Sequence, residues 1–482
     1  MLREILKNKI ILYLFSRYGT YILQFAISII IAAKLGPYYL GVYGFMQLLI
    51  NAFSQMNWGV HSSLNVLIVH NRNDRQKCDD YVGNSIFIYG LISLVVIALF
   101  LYVIFADVTI DNKYSINVLH YFLICVIVIA QYYSLLFLTI LRVKNKVISL
   151  ALAQSSNVLL NLLVVFFFDK EALIYALLIC NLLSLLSYFV FVKKDKLIPN
   201  LWQISYCKTI QKEILTKGFY LFLYNSCFYF ILISIRTFIS RSYTVSEFGL
   251  FNFSYTLANA ALLLLDALTL IILPKIIDLL SSKNYKKIDN TIRDIRISFV
   301  AASHFLIYIA MLFFPLVIYL MPKYSEALTS LNLIALSILM NTNNYGYSAF
   351  LIAQNKEAIF ACISFTSLVI NILVAAVLVN VCQVGFSYVI LAVMVTYLCF
   401  SIMTVAMSKK LMGLLNWADV LKSFFPIRLL APYTVALAIS LLELSNFIFL
   451  PLLCFLLFNI KDIRAMWGLG KRLIRNPNIA DL

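Results

Sequence analysis

The sequence predicts an all-α polytopic membrane protein of about 14 transmembrane helices, arranged as two parallel six-helix bundles plus two C-terminal helices. Three observations predict it: a composition poor in charge, apolar runs of spanning length along the whole chain, and a weak internal repeat. Of 482 residues, 63% are apolar and 12% charged, and the mean hydropathy is +0.93. Soluble domains carry roughly 25% charged residues. No stretch here is polar enough to cover a water-exposed surface, which excludes a soluble enzyme or binding module. The 15% aromatic content suits helices with Tyr and Phe at the membrane interfaces.

The spans follow from length. A helix needs about 20 apolar residues to cross the hydrocarbon core. Such runs fall at 10–33, 40–66, 82–105, 116–140, 147–168, 172–192, 217–240, 248–273, 297–320, 327–352, 358–380 and 384–407. Two shorter runs, 427–443 and 446–460, carry Pro432 and Pro451. The basic segment from Met1 to Ile10 enters the first run without a small-residue cleavage site, so it reads as a retained first helix. The nine cysteines show no C-x-x-C or Cys/His spacing and read as packing residues, with no metal site.

A net charge of +17 raises the question of nucleic acid, and its placement answers it. With a cytoplasmic N-terminus and fourteen spans, 31 of the 38 Lys and Arg fall in cytoplasmic segments and five in outside loops. The other two, Arg17 and Arg236, lie within spans. The positive charge marks the cytoplasmic face, both termini are expected there, and no nucleic-acid partner is implied. The longest outside loop, Ala106 to Ser115, has only ten residues. Polysaccharide polymerases and glycosyltransferases need a sizeable segment outside the membrane for their chemistry. No G-x-x-x-x-G-K-[ST], H-E-x-x-H or G-x-S-x-G occurs either. The chain is expected to move a substrate and not to be an enzyme.

The repeat sets the domain plan. Gly41 falls on Gly249 at an offset of 208, and Asn51 then falls on Asn259. At an offset of 210, Asn145-Lys146 meets Asn355-Lys356, and Asn161 to Val164 meets Asn371 to Val374. Each copy holds six spans, an even number, so both copies run the same way across the membrane. The expected division is an N-terminal bundle over 1–192, a cytoplasmic linker over 193–216, a second bundle over 217–408, and two extra helices with a basic tail over 409–482.

The stretch from Ala33 to Tyr43, AKLGPYYLGVY, resembles the R-x-L-G-P-x-x-F-G-x-Y signature after the first helix of oligosaccharide flippases. Leu273-Pro274-Lys275 with Lys283 to Lys287 is similar to their passage after the eighth helix, and Pro322 to Lys356 follows their later pattern. The resemblance covers about residues 5–410 and points to Wzx-type O-antigen and exopolysaccharide flippases. These form a branch of the multidrug/oligosaccharidyl-lipid/polysaccharide flippase superfamily, which makes the expected architecture MATE-like. It implies transfer of an undecaprenyl-diphosphate-linked oligosaccharide from the cytoplasmic to the periplasmic leaflet of the bacterial inner membrane. Membrane lipids and other polysaccharide-assembly membrane proteins are the further expected partners. No resident cofactor is implied, and the coupling ion is a proton, sodium or none. Lys34 stands where the family has Arg, and Ile235 where relatives carry Asp before Arg236. Two alternatives share the fold, a lipid II flippase and a multidrug exporter; a polymerase or glycosyltransferase is the reading from another class.

Such a cargo needs a polar path with positive charge. The eighth span carries Asn252, Asn259 and Asp266 at seven-residue intervals, on one helical face. The second carries Gln47, Asn51, Ser54, Gln55 and Trp58. The two stripes suggest one cleft, and hydrogen bonding within each bundle is the plainer reading. Arg17 lies seven residues into its span, placed either to meet a diphosphate or to snorkel to the inner headgroups. Arg236, near the outer end of its own, poses the same choice. His61 and His304 read as hydrogen-bonded packing residues or as proton relays, and Asn341, Asn343 and Asn344 as cleft lining or a helix irregularity. A pairing of Arg17 with Asp266 is expected as an inner gate.

Overall fold

The computed structural model describes residues 9–71, 73–105, 112–144, 146–195, 197–199, 204–260, 280, 284–424 and 426–460, with side chains from Gly19 onward. Every regular element among the described residues is a helix, as a chain that must satisfy its own backbone groups in lipid requires. Nine of these helices are long and apolar enough to cross a membrane, and four shorter apolar helices accompany them. The all-α polytopic class is borne out. The chain forms two compact units, Met1–Asn252 and Phe253–Leu482.

The first unit contains α1 (Lys9–Ser54), α2 (Val60–His70), α3 (Arg75–Phe105), α4 (Val118–Val143), α5 (Val147–Phe167), α6 (Lys170–Lys194) and α7 (Lys208–Ser242). It ends inside α8 (245–260). Helix α1 holds the first span and part of the second, separated at Gly36, whose φ of 67° and ψ of 173° interrupt it. Glycine takes that conformation without strain, and Pro37 after it suits the first turn of a new helix.

The expected single span over 40–66 is a broken helix instead. Gln55–Asn57 form a 3-10 turn, and Trp58 and Gly59 turn to φ of 51° and 67° before α2 resumes. Asn57 secures the break. Its amide donates to the Ser54 carbonyl at 2.8 Å, and its Oδ1 accepts from the Gly59 N–H at 2.9 Å. Both backbone groups would otherwise be left open by the interrupted ladder. Tertiary packing fixes the position: a Cβ on Gly59 would stand 2.5 Å from the Gly218 carbonyl oxygen of α7.

Residues of the expected cytoplasmic linker over 193–216 are hydrogen-bonded to neighbouring helices. Asp80 Oδ1 accepts from the Ser205 N–H at 3.0 Å. The wholly buried Asn84 donates to the Ser205 carbonyl at 3.0 Å and accepts from Gln211 at 3.1 Å. These bonds pin the approach to α7 onto the start of α3, so α7 packs with the first unit. Just past α6, Asp195 accepts from Ser149 Oγ at 2.8 Å and pairs with Lys146 at 3.3 Å. Chiefly the Ser149 hydroxyl, and then Lys146, hold its carboxyl below the usual carboxylate range. On the opposite side Lys113 Nζ donates to the carbonyls of Arg241 and Tyr243 at 3.1 and 3.0 Å. A cation there meets the open carbonyls at the end of α7.

The second unit continues with α9 (Tyr285–Leu320), α10 (Ala327–Thr342), α11 (Tyr347–Ala353), α12 (Glu357–Ala376), α13 (Leu391–Leu411), α14 (Trp417–Phe424), α15 (Ile427–Leu441) and α16 (Leu450–Phe458). Helix α9 starts well before the expected 297, because Asn284 caps it by accepting from the Lys287 N–H at 3.2 Å. Asp289, Arg293 and Arg296 thus ride on a helix and not in a loop. The run 327–352 breaks between α10 and α11, where Gly346 has a φ of 86°. The asparagine cluster is this irregularity: the Asn344 amide donates to the Asn341 carbonyl and to its Oδ1, at 2.6 and 2.9 Å. Helices α15 and α16, 15 and 9 residues long, pack together and onto this unit. Phe455 is buried against His304 and Tyr308 of α9, and Asn459 donates to the Arg428 carbonyl at 2.9 Å. His304 sits in that aromatic packing, with its Nδ1 2.9 Å from the Tyr308 hydroxyl.

Candidate substrate site

Two features of the first unit place polar chemistry inside the apolar bundle. One is a helix crossing built on the repeat. A Cβ on Gly41 would sit 2.0 Å from the Val245 carbonyl oxygen, and one on Gly249 would sit 1.8 Å from that of Pro37. At an offset of 208 Val245 is the mate of Pro37, so each copy presents the same contact to the other. Gly44 and Asn252 are also mates, and a Cβ on Gly44 would lie 2.1 Å from Asn252 Nδ2. Within the first unit the contact is therefore reciprocal.

Arg236 seals this crossing. It is 6% exposed, its Nε donates to Asn252 Oδ1 at 3.1 Å, and its Nη2 donates to the Gly44 carbonyl at 3.1 Å. Asn252 in turn donates to the Phe248 carbonyl at 2.8 Å. The guanidinium therefore ties three spans together from a buried position, where fixed acceptors compensate its desolvation. The sequence singled out both residues but not their pairing.

The other feature is a cavity of about 330 Å³ among α1, α4, α5 and α6. Carboxamides dominate its polar wall: Gln24, Gln131, Gln154, Asn157 and Asn181. Thr20 Oγ1 and Ser155 Oγ meet across it at 3.2 Å. None of its described lining residues is charged. The sequence reading picked out none of these positions. Their signal was the same helical spacing used for the second span, as in Thr20 with Gln24 and Gln154 with Asn157.

The remaining candidates are dispersed. Asn51 and Gln55 are half-buried near the end of the first helix, beside Ser54, which donates to Gln131 Oε1 on the cavity wall. His61 is half-buried, with Nδ1 3.4 Å from the Tyr89 hydroxyl and Nε2 3.2 Å from Ser62 Oγ. Asn259 is half-buried and donates to the Tyr255 carbonyl at 2.8 Å. Arg17 lies on α1 with its side chain outside the described residues, and Asp266 lies outside them altogether, so their expected pairing does too. In the second unit the sequence reading missed a buried charge cluster. The Tyr347 hydroxyl donates to Asp289 at 3.0 Å, and Arg296 donates to the Asn343 carbonyl at 3.3 Å, at the α10–α11 break.

Comparison with known proteins gives this arrangement its relatives. A lipid II flippase, MurJ, in an inward closed conformation superposes with a TM-score of 0.69 at 15% identity, covering 95% of this chain and 99% of its own. An inward-facing multidrug resistance MATE family transporter of the MOP superfamily gives 0.68 at 13% identity, over 83% of this chain and 98% of its own. An outward-facing MATE transporter gives 0.58 at 14%, covering 83% and 93%. At such identities the likeness is one of fold. No curated protein sequence matches the chain. The family described as polysaccharide biosynthesis protein matches residues 6–280, more than half of the 482. The resemblance read from residues 33–43 is thereby borne out, and the chain belongs to the polysaccharide biosynthesis protein family, on the fold of MOP superfamily transporters.

Proposed function

We propose that this chain is a flippase that moves undecaprenyl-diphosphate-linked oligosaccharide repeat units from the cytoplasmic to the periplasmic leaflet of a bacterial inner membrane. The product feeds O-antigen or another surface polysaccharide. The family match over residues 6–280 carries the reading, because it supplies the sugar polymer that a transporter fold alone does not. Transport proceeds by alternating access, the mode suggested by MATE relatives of the same fold in inward-facing and outward-facing conformations. The lipid II flippase and multidrug exporter readings share that fold and lack the family's support.

In this reading the protein has fourteen spans and cytoplasmic termini, in keeping with the charge pattern. Asn51, Gln55, His61 and Asn259 line the polar path, and Arg17 and Asp266 act at its cytoplasmic end. Arg236 and Asn252 hold the helices that frame it. A proton or sodium ion is the candidate coupling ion. The test is complementation of a strain lacking its own flippase for a surface polysaccharide. Expression should restore the polymer and clear the accumulated lipid-linked repeat unit. If the repeat unit still accumulates while the protein is present in the membrane, the reading fails for that substrate. Periplasmic reporters after residues 110 and 245, and cytoplasmic ones after 285 and 470, are the expected topology; a periplasmic C-terminus would remove one of the last two spans.

A further inference from the structure

The cavity in the first unit has a chemistry unlike that of the lipid diphosphate. Among its described lining residues there is no Asp, Glu, Lys, Arg or His. An unpaired ion would be costly among these neutral groups. The walls offer carboxamides, each holding a donor and an acceptor side by side. A sugar ring, with neighbouring hydroxyls that both donate and accept, matches that surface. Tyr21 and Tyr188 add aromatic rings, which can cover the C–H face of a ring.

Bonding between helices leaves capacity open at Asn157. Asn157 Nδ2 and Asn181 Oδ1 are 3.5 Å apart, at the limit of a hydrogen bond whose usual length is about 2.9 Å. Asn157 Oδ1 is buried without a hydrogen-bond partner among the described residues. A buried acceptor left open is uncommon and calls for a ligand or solvent. Size also discriminates. At about 330 Å³ the space lies at the small end of ligand pockets, roughly 300–1,000 Å³. That suits a monosaccharide-sized group, whereas oxygens binding a hard cation such as calcium must converge to about 2.3–2.6 Å. Depth is suitable too. Gln131 lies nine residues from the inner end of its expected span at 140, about 13 Å at 1.5 Å per residue.

We propose that this cavity binds a neutral, hydroxyl-rich sugar unit of the cargo, and that Gln131, Gln154, Asn157 and Asn181 select which sugar is accepted. The proposal rests on the flippase reading and adds a site of sugar specificity to it. The test uses the full chain in lipid nanodiscs with three probes: methyl glycosides of glucose, galactose, N-acetylglucosamine and N-acetylgalactosamine; undecaprenyl diphosphate without sugar; and sodium chloride against potassium chloride. The variants are Asn157→Leu and Gln154→Leu, with Asn157→Gln as the conservative control and thermal midpoints to verify folding. At least one glycoside should bind, and each leucine variant should weaken it tenfold or more. Asn157→Gln should retain part of that binding. Undecaprenyl diphosphate should bind all four proteins equally. Equal glycoside affinity in the leucine variants, or no binding of any glycoside, overturns the proposal. A sodium-specific stabilisation lost in those variants overturns it in favour of a cation site. The flippase reading fails separately, if undecaprenyl diphosphate neither binds nor competes with the lipid-linked repeat unit.

Discussion

Adding a single methyl group at Gly41 or Gly249 is expected to disrupt the crossing of the second and eighth spans. The new Cβ would stand 2.0 or 1.8 Å from a backbone carbonyl oxygen, which cannot rotate away as a side chain can. Overpacking a close-packed site costs about 1–3 kcal/mol and occasionally more. A rigid obstacle puts both alanine variants at the top of that range, about 3 kcal/mol each. Gly19→Ala is the internal control. No described atom lies within 4 Å of its Cβ position, and alanine in a helix interior gains about 0.5–1 kcal/mol over glycine. Unfolding midpoints of the purified protein should therefore fall sharply for Gly41→Ala and Gly249→Ala and hold or rise for Gly19→Ala. Similar midpoints in all three would mean that the helices do not approach so closely.

Loss of Asn252 should be nearly as damaging. Its Oδ1 is an acceptor for the buried Arg236 guanidinium, and a hydrogen bond to a charged group contributes about 1.5–3 kcal/mol. Removing one partner of a buried pair costs about 3–5 kcal/mol, because a charge is left short of compensation. Asn252→Leu is placed between these values, at about 3 kcal/mol. Arg236→Met leaves neutral acceptors behind and should cost less, about 2 kcal/mol. The double variant removes charge and partner together, so its loss should fall short of the sum by about 1–2 kcal/mol. Arg236→Lys should not rescue, since an ammonium lacks the fork that reaches both Asn252 and the Gly44 carbonyl. A cycle of unfolding free energies reads the coupling directly. Strict additivity would show that the two residues do not act as a pair.

Much of the fold was legible because its signals are local or periodic. Gly36-Pro37 marks a helix boundary through two residues with fixed backbone preferences, and the structure breaks there. The offset of 208 was legible from Gly41 with Gly249 and Asn51 with Asn259, and the crossing shows why the first pair is glycine. The break at 55–59 was not legible, since Gln55, Met56 and Trp58 are compatible with helix. The conformation is imposed by Gly218 and α7, distant in sequence. Gly346 gave a weak sign of the second break, hidden among apolar neighbours. At the candidate site, polar stripes on single helices were visible. The Arg236–Asn252 pair was not, because a contact over 16 residues depends on how α7 turns into α8. The cavity was missed for the same reason: its carboxamides come from four helices and converge only after packing.

The claim that the chain flips a lipid-linked oligosaccharide is tested most directly by leaflet exchange in sealed vesicles. Vesicles are prepared with an undecaprenyl-diphosphate-linked oligosaccharide in both leaflets, with and without the full chain, and an impermeant glycosidase is added outside. Without protein only the outer-leaflet share should be cleaved. With the protein, and with proton and sodium gradients imposed in turn, cleavage should proceed to completion. Cleavage that stops at the outer-leaflet share under every gradient, in vesicles shown to contain folded protein, would contradict the account.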